Sequence, residues 1–203
     1  MQLISVRQGD HQDIVRQIFA LRARVFADRL GWNVTVRNGE EHDQFDDLDP
    51  IYLCILDGGQ VLGCARFLPC SGPTMVRDVF SALVNHPEIV TGDRMVESSR
   101  FCVDKDAMRA GVHTGEQDAA TLLMTGMIQW AFEEGYGEIV TVTDIRVERL
   151  LRRVGISFVR LGPPSRVGNT IAVAGRVSTD QVVTSGPVAD RTILRLSQIA
   201  SAA

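Results

Sequence analysis

Two apolar runs, residues 51–56 and 61–68, are separated by Asp57-Gly58-Gly59, and this arrangement limits the fold more than any other part of the chain. Glycines next to an aspartate supply the backbone conformations of a tight turn, so the two runs read as adjacent antiparallel strands. A sheet that contains them cannot be all-parallel. Helical patterns lie on either side. Ile14, Ile18, Leu21, Val25 and Phe26 predict a helix capped by Asp10 and ending near Gly31, and residues 119–132 are apolar at helical spacing with Gly135 or Gly137 as a stop. Strands are expected at 3–6, 95–103, 139–142, 156–161 and 170–173, with a short helix at 75–84. A further helix is capped by Asp144 and closed by Gly155. The expected fold class is α/β (α+β), a mixed, largely antiparallel sheet flanked by helices, in one domain over residues 1–203.

Several function classes are disfavoured by composition. A formal charge of -4 gives no general attraction to nucleic acid or anionic lipid, so no nucleic-acid or membrane partner is expected. The first residues lack an apolar signal core and no run has the length of a membrane span, which predicts a soluble, cytoplasmic protein. The four cysteines show no CxxC spacing and the four histidines no ligand pattern, so neither metal nor disulfide is expected. Cys54, Cys64 and Cys102 lie in apolar runs and read as buried, reduced thiols.

Residues 33–50 carry Glu40, Glu41, Asp43, Asp46, Asp47 and Asp49 with little apolar periodicity, which reads as a long surface loop. A charge cluster of this kind is often only a solvated face. Arg22 and Phe26, four apart on the first helix, share a face, and Trp32 follows just beyond it. Aromatics beside carboxylates suit a ligand with a flat base and a positive centre, and S-adenosylmethionine has both. Arg66 stands in an otherwise apolar strand and needs an anion. Glu97-Ser98-Ser99-Arg100-Phe101 likewise sets charge in a strand, where regular alternation puts Glu97, Ser99 and Phe101 on one face and Arg100 on the other. Either Glu97 and Arg66 form a buried ion pair, or Glu97 is a general base in a cleft.

The segment from Arg22 to Phe26, Trp32, Glu41-His42-Asp43-Gln44-Phe45-Asp46, Arg66, and Glu97-Ser98-Ser99-Arg100-Phe101 resembles, in order and spacing, the signature of the LuxI-type autoinducer synthases. The likeness continues through Val79-Phe80, Asp104 and Gly168-Asn169-Thr170-Ile171-Ala172, and the later half is similar to TraI-type members. It implies a GNAT-like acyltransferase fold, an acyl-carrier-protein thioester as donor, and S-adenosylmethionine as acceptor and substrate, with no cofactor. It also implies that Arg22, Phe26, Trp32, Asp43 and Asp46 shape the acceptor site, and that Glu97, Arg100 and Arg66 serve the chemistry. A threonine at position 141 is associated in similar synthases with 3-oxo-acyl products.

Two further surfaces follow from the residues. Leu122, Leu123, Met127 and Ile128, with Thr141 on the next strand, either line an acyl tunnel or simply form the core. Arg149, Arg152 and Arg153 share a helical face and are expected to dock an acidic carrier protein, or else only to solvate the helix. Two other functions stay open: a coenzyme A-dependent N-acyltransferase of the same fold, and a noncatalytic ligand-binding module. The first lacks its usual phosphate loop, because Arg152-Arg153-Val154-Gly155-Ile156-Ser157 closes a helix instead of opening one.

Overall fold

A computed structural model of the chain describes residues 1–7, 9–104, 106, 116–181 and 194–195. The expected hairpin is formed by β4 (Ile51–Asp57) and β5 (Gln60–Pro69). Its turn residues Gly58 and Gly59 both have positive φ, at 54° and 83°, the combination that a two-residue hairpin loop matched to strand twist requires. β1 (Gln2–Arg7) pairs antiparallel with β4, and β6 (Met95–Val103) antiparallel with β5. Beyond them come β7 (Glu138–Asp144), parallel to β6, and β10 (Thr170–Ser178), antiparallel to β7. Short strands β8 (Val159–Arg160) and β9 (Ser165–Val167) both pair with β10, and β11 (Leu194–Arg195) runs parallel to β1. The sheet is therefore mixed and largely antiparallel, as expected.

Helices cover both faces. The apolar side of α1 (Gln12–Arg22) packs Ile14, Ile18 and Leu21 on Tyr52, Cys54, Cys64 and Cys102. The opposite face carries α3 (Glu116–Glu133), whose Leu122, Leu123, Ile128 and Trp130 meet Leu53, Ile55, Ala65 and Phe67. With a helix on each side, β5 is buried along almost its whole length, which accounts for its nearly continuous apolar sequence. All four cysteines are buried free thiols.

Several boundaries differ from expectation. His11, not Asp10, precedes the first turn of α1, with no side-chain cap. That helix does not run regularly to Gly31 but widens into a π-helical turn over Ala23–Arg29. The acidic segment holds a small hairpin, β2 (Val36–Arg37) with β3 (Glu40–Glu41), and a 3-10 turn at Asp46–Leu48. The short helix α2 covers only Met75–Asp78. Of the strand expected at 156–161 only β8 forms, while β9 was not anticipated and β10 is longer than foreseen. Asp144 does cap α4 (Ile145–Arg153), accepting the Arg146 N–H at 2.7 Å.

The pairing of β6 with β7 is short. β6 and β7 are neighbours only from Met95 opposite Glu138 to Ser98 opposite Thr141. Past that rung β6 stays paired with β5 as far as Val103, and β7 with β10 as far as Asp144. The sheet thus forks into two prongs, with Ser98 and Thr141 at the crotch.

Candidate active site

The fork begins at a bulge. Between Cys64 and Arg66 β5 advances two residues, while β6 takes three to pass from Cys102 to Ser99. The extra residue breaks alternation, and Arg100 takes up a φ of 54°, uncommon for a side-chain-bearing residue. Arg100 consequently joins Glu97 and Ser99 on the α1 face, while Phe101 packs into the core beneath α3. This corrects the facing expected from a regular strand. Locally strained arginines of this kind concentrate at functional sites.

Arg100 completes a cluster of three arginines and three carboxylates. Arg22 bonds Glu41 at 2.5 Å and grips Asp46 with two bonds of 2.8 Å. Arg66 reaches Asp43 at 2.6 Å, Asp46 at 2.8 Å and the Ser99 hydroxyl at 3.1 Å. Arg100 bonds Glu41 at 2.9 Å and lies 2.6 Å from Asp43. Tyr52, opposite Arg66 in the hairpin register, donates its hydroxyl to Asp46 at 2.8 Å. Formal charges cancel, as removal of so many ions from water requires. Burial opposes ionisation of Asp46, but the bonds and charge of Arg22, with the charge of Arg66, hold it well below the ordinary carboxylate range. The Arg22 guanidinium is likewise penalised by burial, yet Asp46 and Glu41 raise its proton affinity overall.

Exposure divides this cluster. The side chains of Arg22, Glu41, Asp46 and Arg66 are fully buried, whereas Asp43 and Arg100 retain 19% and 11% exposure. The four interior groups are closed off from solvent and pair with one another as a frame. The cation–anion pair of Arg100 and Asp43 stands at its rim. Beside it, Phe26 stacks on Trp32 with ring centroids 5.0 Å apart, and the Arg100 guanidinium lies over the Phe26 ring at 5.6 Å. Arg22, Phe26, Trp32, Asp43, Asp46, Arg66 and Arg100 are thus brought into one constellation. Glu41 and Tyr52 belong to it although neither was singled out. Glu41 could have been found from its two-residue spacing to Asp43 on extended chain, but Tyr52 only from strand register.

Glu97 departs from one of its two readings, the buried ion pair. It does not pair with Arg66. Its carboxylate accepts the backbone N–H groups of Met75 at 3.0 Å and Val76 at 2.5 Å, holding the start of α2. Burial pushes its pKa up, against the N–H groups of Val76 and Met75 and the charge of Arg66, so it holds a proton more readily than an ordinary glutamate. Met75 in turn presents its sulfur to Arg66 at 3.1 Å.

On the α3 side of the fork, Thr141 is partly buried, with its hydroxyl 3.5 Å from the Val142 carbonyl, the outer limit of a hydrogen bond. Its neighbour across the ladder is Gly175, where a side chain would collide with Phe158: a Cβ would lie 2.1 Å from the ring. Leu122 and Met127 belong to the same apolar cluster as Phe158. Arg149, Arg152 and Arg153 are all exposed on α4, but they are not equivalent. Arg152 bonds the buried Glu148 at 2.8 Å, as does Arg160 at 2.9 and 2.7 Å. Among the described residues no group of three or more His, Cys, Asp or Glu could hold a metal ion, and no helix is long and apolar enough to cross a membrane.

Comparison with known proteins identifies relatives. A model of the autoinducer synthase family matches residues 6–185. An acyl-homoserine-lactone synthase from Agrobacterium fabrum is 45% identical over 172 residues, covering 84% of this chain and 82% of its own. The crystal structure of the AHL synthase LasI matches with a TM-score of 0.78 at 30% identity, over 88% of this chain and 89% of its own. A CoA-dependent acyl-homoserine lactone synthase, BjaI, solved with SAM and isopentyl-CoA, matches at 0.79 over 99% and 98%, with 23% identity, a likeness of fold.

Proposed function

This chain belongs to the autoinducer synthase family and is an acyl-homoserine-lactone synthase, and from that premise we propose that it joins an acyl group from an acyl-carrier-protein thioester to the amine of S-adenosylmethionine. The observation that carries the acceptor assignment is the open Asp43–Arg100 rim beside the Phe26–Trp32 stack. An amino-acid head offers an ammonium to Asp43 and a carboxylate to Arg100, and the aromatic pair accepts a flat base and a sulfonium. The buried frame of Arg22, Glu41, Asp46 and Arg66 fixes both rim groups before the ligand arrives, so little ordering remains at binding.

The chemistry then takes two steps. The neutral amine attacks the thioester carbonyl, the carbon–sulfur bond breaks, and the carrier leaves as its thiol. Glu97, whose proton affinity is raised by burial, accepts the amine's proton through water and returns it by the same route to the departing thiolate. The carboxylate of the methionine part next attacks its own carbon beside the sulfonium and expels methylthioadenosine. Ring closure is intramolecular, so the site mainly has to hold the bent geometry. No covalent enzyme intermediate and no cofactor is involved. Thr141, at the crotch of the fork with a weakly bonded hydroxyl, meets the 3-oxo group of a medium-length acyl chain that runs along Leu122 and Met127. The exposed arginines of α4 receive the acidic carrier.

A coenzyme A thioester is the second reading, favoured by the CoA-dependent neighbour of similar fold. Against it, the chain after Arg153 closes a helix at Gly155, φ 83°, and offers no helix N-terminus to pyrophosphate. The test is to incubate the protein with S-adenosylmethionine and matched carrier-protein and coenzyme A thioesters and to identify products by mass spectrometry. Acyl-homoserine lactone and methylthioadenosine from the carrier thioester are expected, and product from coenzyme A alone would overturn the donor assignment. Glu97→Gln should lower turnover by about 10²- to 10⁴-fold, and because the carboxamide can accept from only one of the Met75 and Val76 N–H groups, its thermal midpoint is measured alongside to separate proton transfer from the anchoring of α2. An unchanged rate would remove Glu97 from proton transfer.

A further inference from the structure

The turn between β9 and β10, Gly168-Asn169, lies beyond the end of β7 and outside every role assigned above. Its Gly168 has a φ of 57°, as the first position of a two-residue hairpin turn requires when the second does not. The Asn169 carboxamide donates to the Leu30 carbonyl at 2.7 Å, across 139 residues of sequence. Leu30 ends the π-helical turn, Gly31 follows at φ 62°, and Trp32 is next, its N–H bonded to the Phe26 carbonyl at 2.8 Å.

The two ends of this contact are rooted on opposite prongs of the fork. On one side Arg29 donates to the carbonyl of Val103, the last residue of β6, at 3.3 Å. On the other, Thr170, next to Asn169, donates its hydroxyl to Asp144, the last residue of β7 and the cap of α4. Val103, Arg29, Leu30, Asn169, Thr170 and Asp144 therefore make a bridge across the mouth that opens where β6 and β7 part. Leu30 is the link that leads directly into the Trp32 turn.

We propose that Asn169 is a positioning residue, a latch whose carboxamide fixes the Leu30–Gly31 turn and so sets Trp32 against Phe26 for S-adenosylmethionine. The proposal rests on the reading of Trp32 as an acceptor contact. The bond is exposed and adds little to global stability; the turn's own backbone bonds, Gly31 N–H to Ala27 and Trp32 N–H to Phe26, hold its shape, and the Asn169 bond fixes that turn to the opposite prong. A lost hydrogen bond of ordinary strength corresponds to an affinity decrease of about 3- to 10-fold.

The experiment measures S-adenosylmethionine binding by calorimetry for the parent, Asn169→Ala, Asn169→Asp and Trp32→Ala, together with thermal midpoints and tryptophan emission. Asn169→Asp is compatible with the turn but faces the Leu30 carbonyl with an acceptor, so it should weaken binding at least as much as Asn169→Ala. Expected are a Kd about 3- to 10-fold higher for Asn169→Ala, an unchanged thermal midpoint, and an emission shift that vanishes when both proteins carry Trp32→Phe. Parent-like affinity in both Asn169 variants, an emission shift that persists without Trp32, or a fall in thermal midpoint that accompanies the loss of affinity would overturn the latch. If Trp32→Ala also binds like the parent, the acceptor reading falls with it. If Trp32→Ala alone weakens binding, only the latch falls.

Discussion

Two arginine–carboxylate clusters among the described residues differ in where the water is. In front of β5 and β6, three arginines and three carboxylates balance one another with four of the six side chains fully buried. On α4, one buried glutamate is held by Arg152 and Arg160, whose own side chains are 62% and 38% exposed, while Arg149 and Arg153 stand on the surface beside them. The first cluster has had to satisfy every donor internally, since an unpaired ion there is costly. The second keeps an excess of positive charge facing solvent. Buried charge of the first kind sets geometry; exposed charge of the second kind acts at a distance and is screened by salt. The same residue types thus form a closed frame in one place and an exposed cationic face in the other.

The largest effect is expected inside the frame. Asp46→Asn leaves Arg22 with Glu41 and Arg66 with Asp43 but puts one uncompensated positive charge in the buried frame, and breaking a buried pair typically costs about 3 to 5 kcal/mol. Urea denaturation should show this, and a parent-like midpoint would erase the distinction between frame and rim. The same residue governs acid stability. Because its folded pKa is depressed, its contribution is fully present above the unfolded value, about 4, and fades as pH falls toward the folded one. Glu97 works the other way, its raised pKa favouring the folded state less as pH climbs above the ordinary glutamate range. Unfolding followed from pH 7 to 3 should therefore fall less steeply in Asp46→Asn than in the parent.

The rim should respond in binding more than in folding. Asp43→Asn and Trp32→Ala are expected to weaken S-adenosylmethionine by about 1 to 3 kcal/mol each, with a smaller loss of stability than Asp46→Asn, because Arg66 keeps Asp46. Calorimetry that found both unaffected would move the acceptor elsewhere.

The exposed cluster should respond to salt. Arg149→Glu with Arg153→Glu leaves the Arg152–Glu148 contact intact and should raise the Michaelis constant for an acyl-carrier protein about tenfold at low salt, a difference that shrinks above about 0.15 M. A constant that does not move would place the dock away from α4. The smallest effect belongs to Thr141→Val. It removes a single hydrogen bond, worth about 0.5 to 1.5 kcal/mol, and should shift competing donors toward unsubstituted chains by roughly 2- to 12-fold. Identical product ratios would leave Thr141 a strand residue only.

Periodicity and turn chemistry, which are local, determined much of this molecule from the sequence. The Asp57-Gly58-Gly59 hairpin, the α1 and α3 apolar faces, the Asp144 cap and the Gly135 stop are each decided within a few residues, and each is where the spacing put it. The charged residues that needed partners were also visible, since Arg66 in an apolar strand requires an anion wherever that anion comes from. Which anion it finds was decided only by tertiary structure. Asp43 and Asp46, more than 19 residues away in sequence, take Arg66, while Glu97 turns to the backbone of α2. The bulge that swings Arg100 across β6, and the parting of β6 from β7 that opens the fork, have no signature in either strand alone. They arise from how two strands count residues against each other, and that is a property of the assembled sheet.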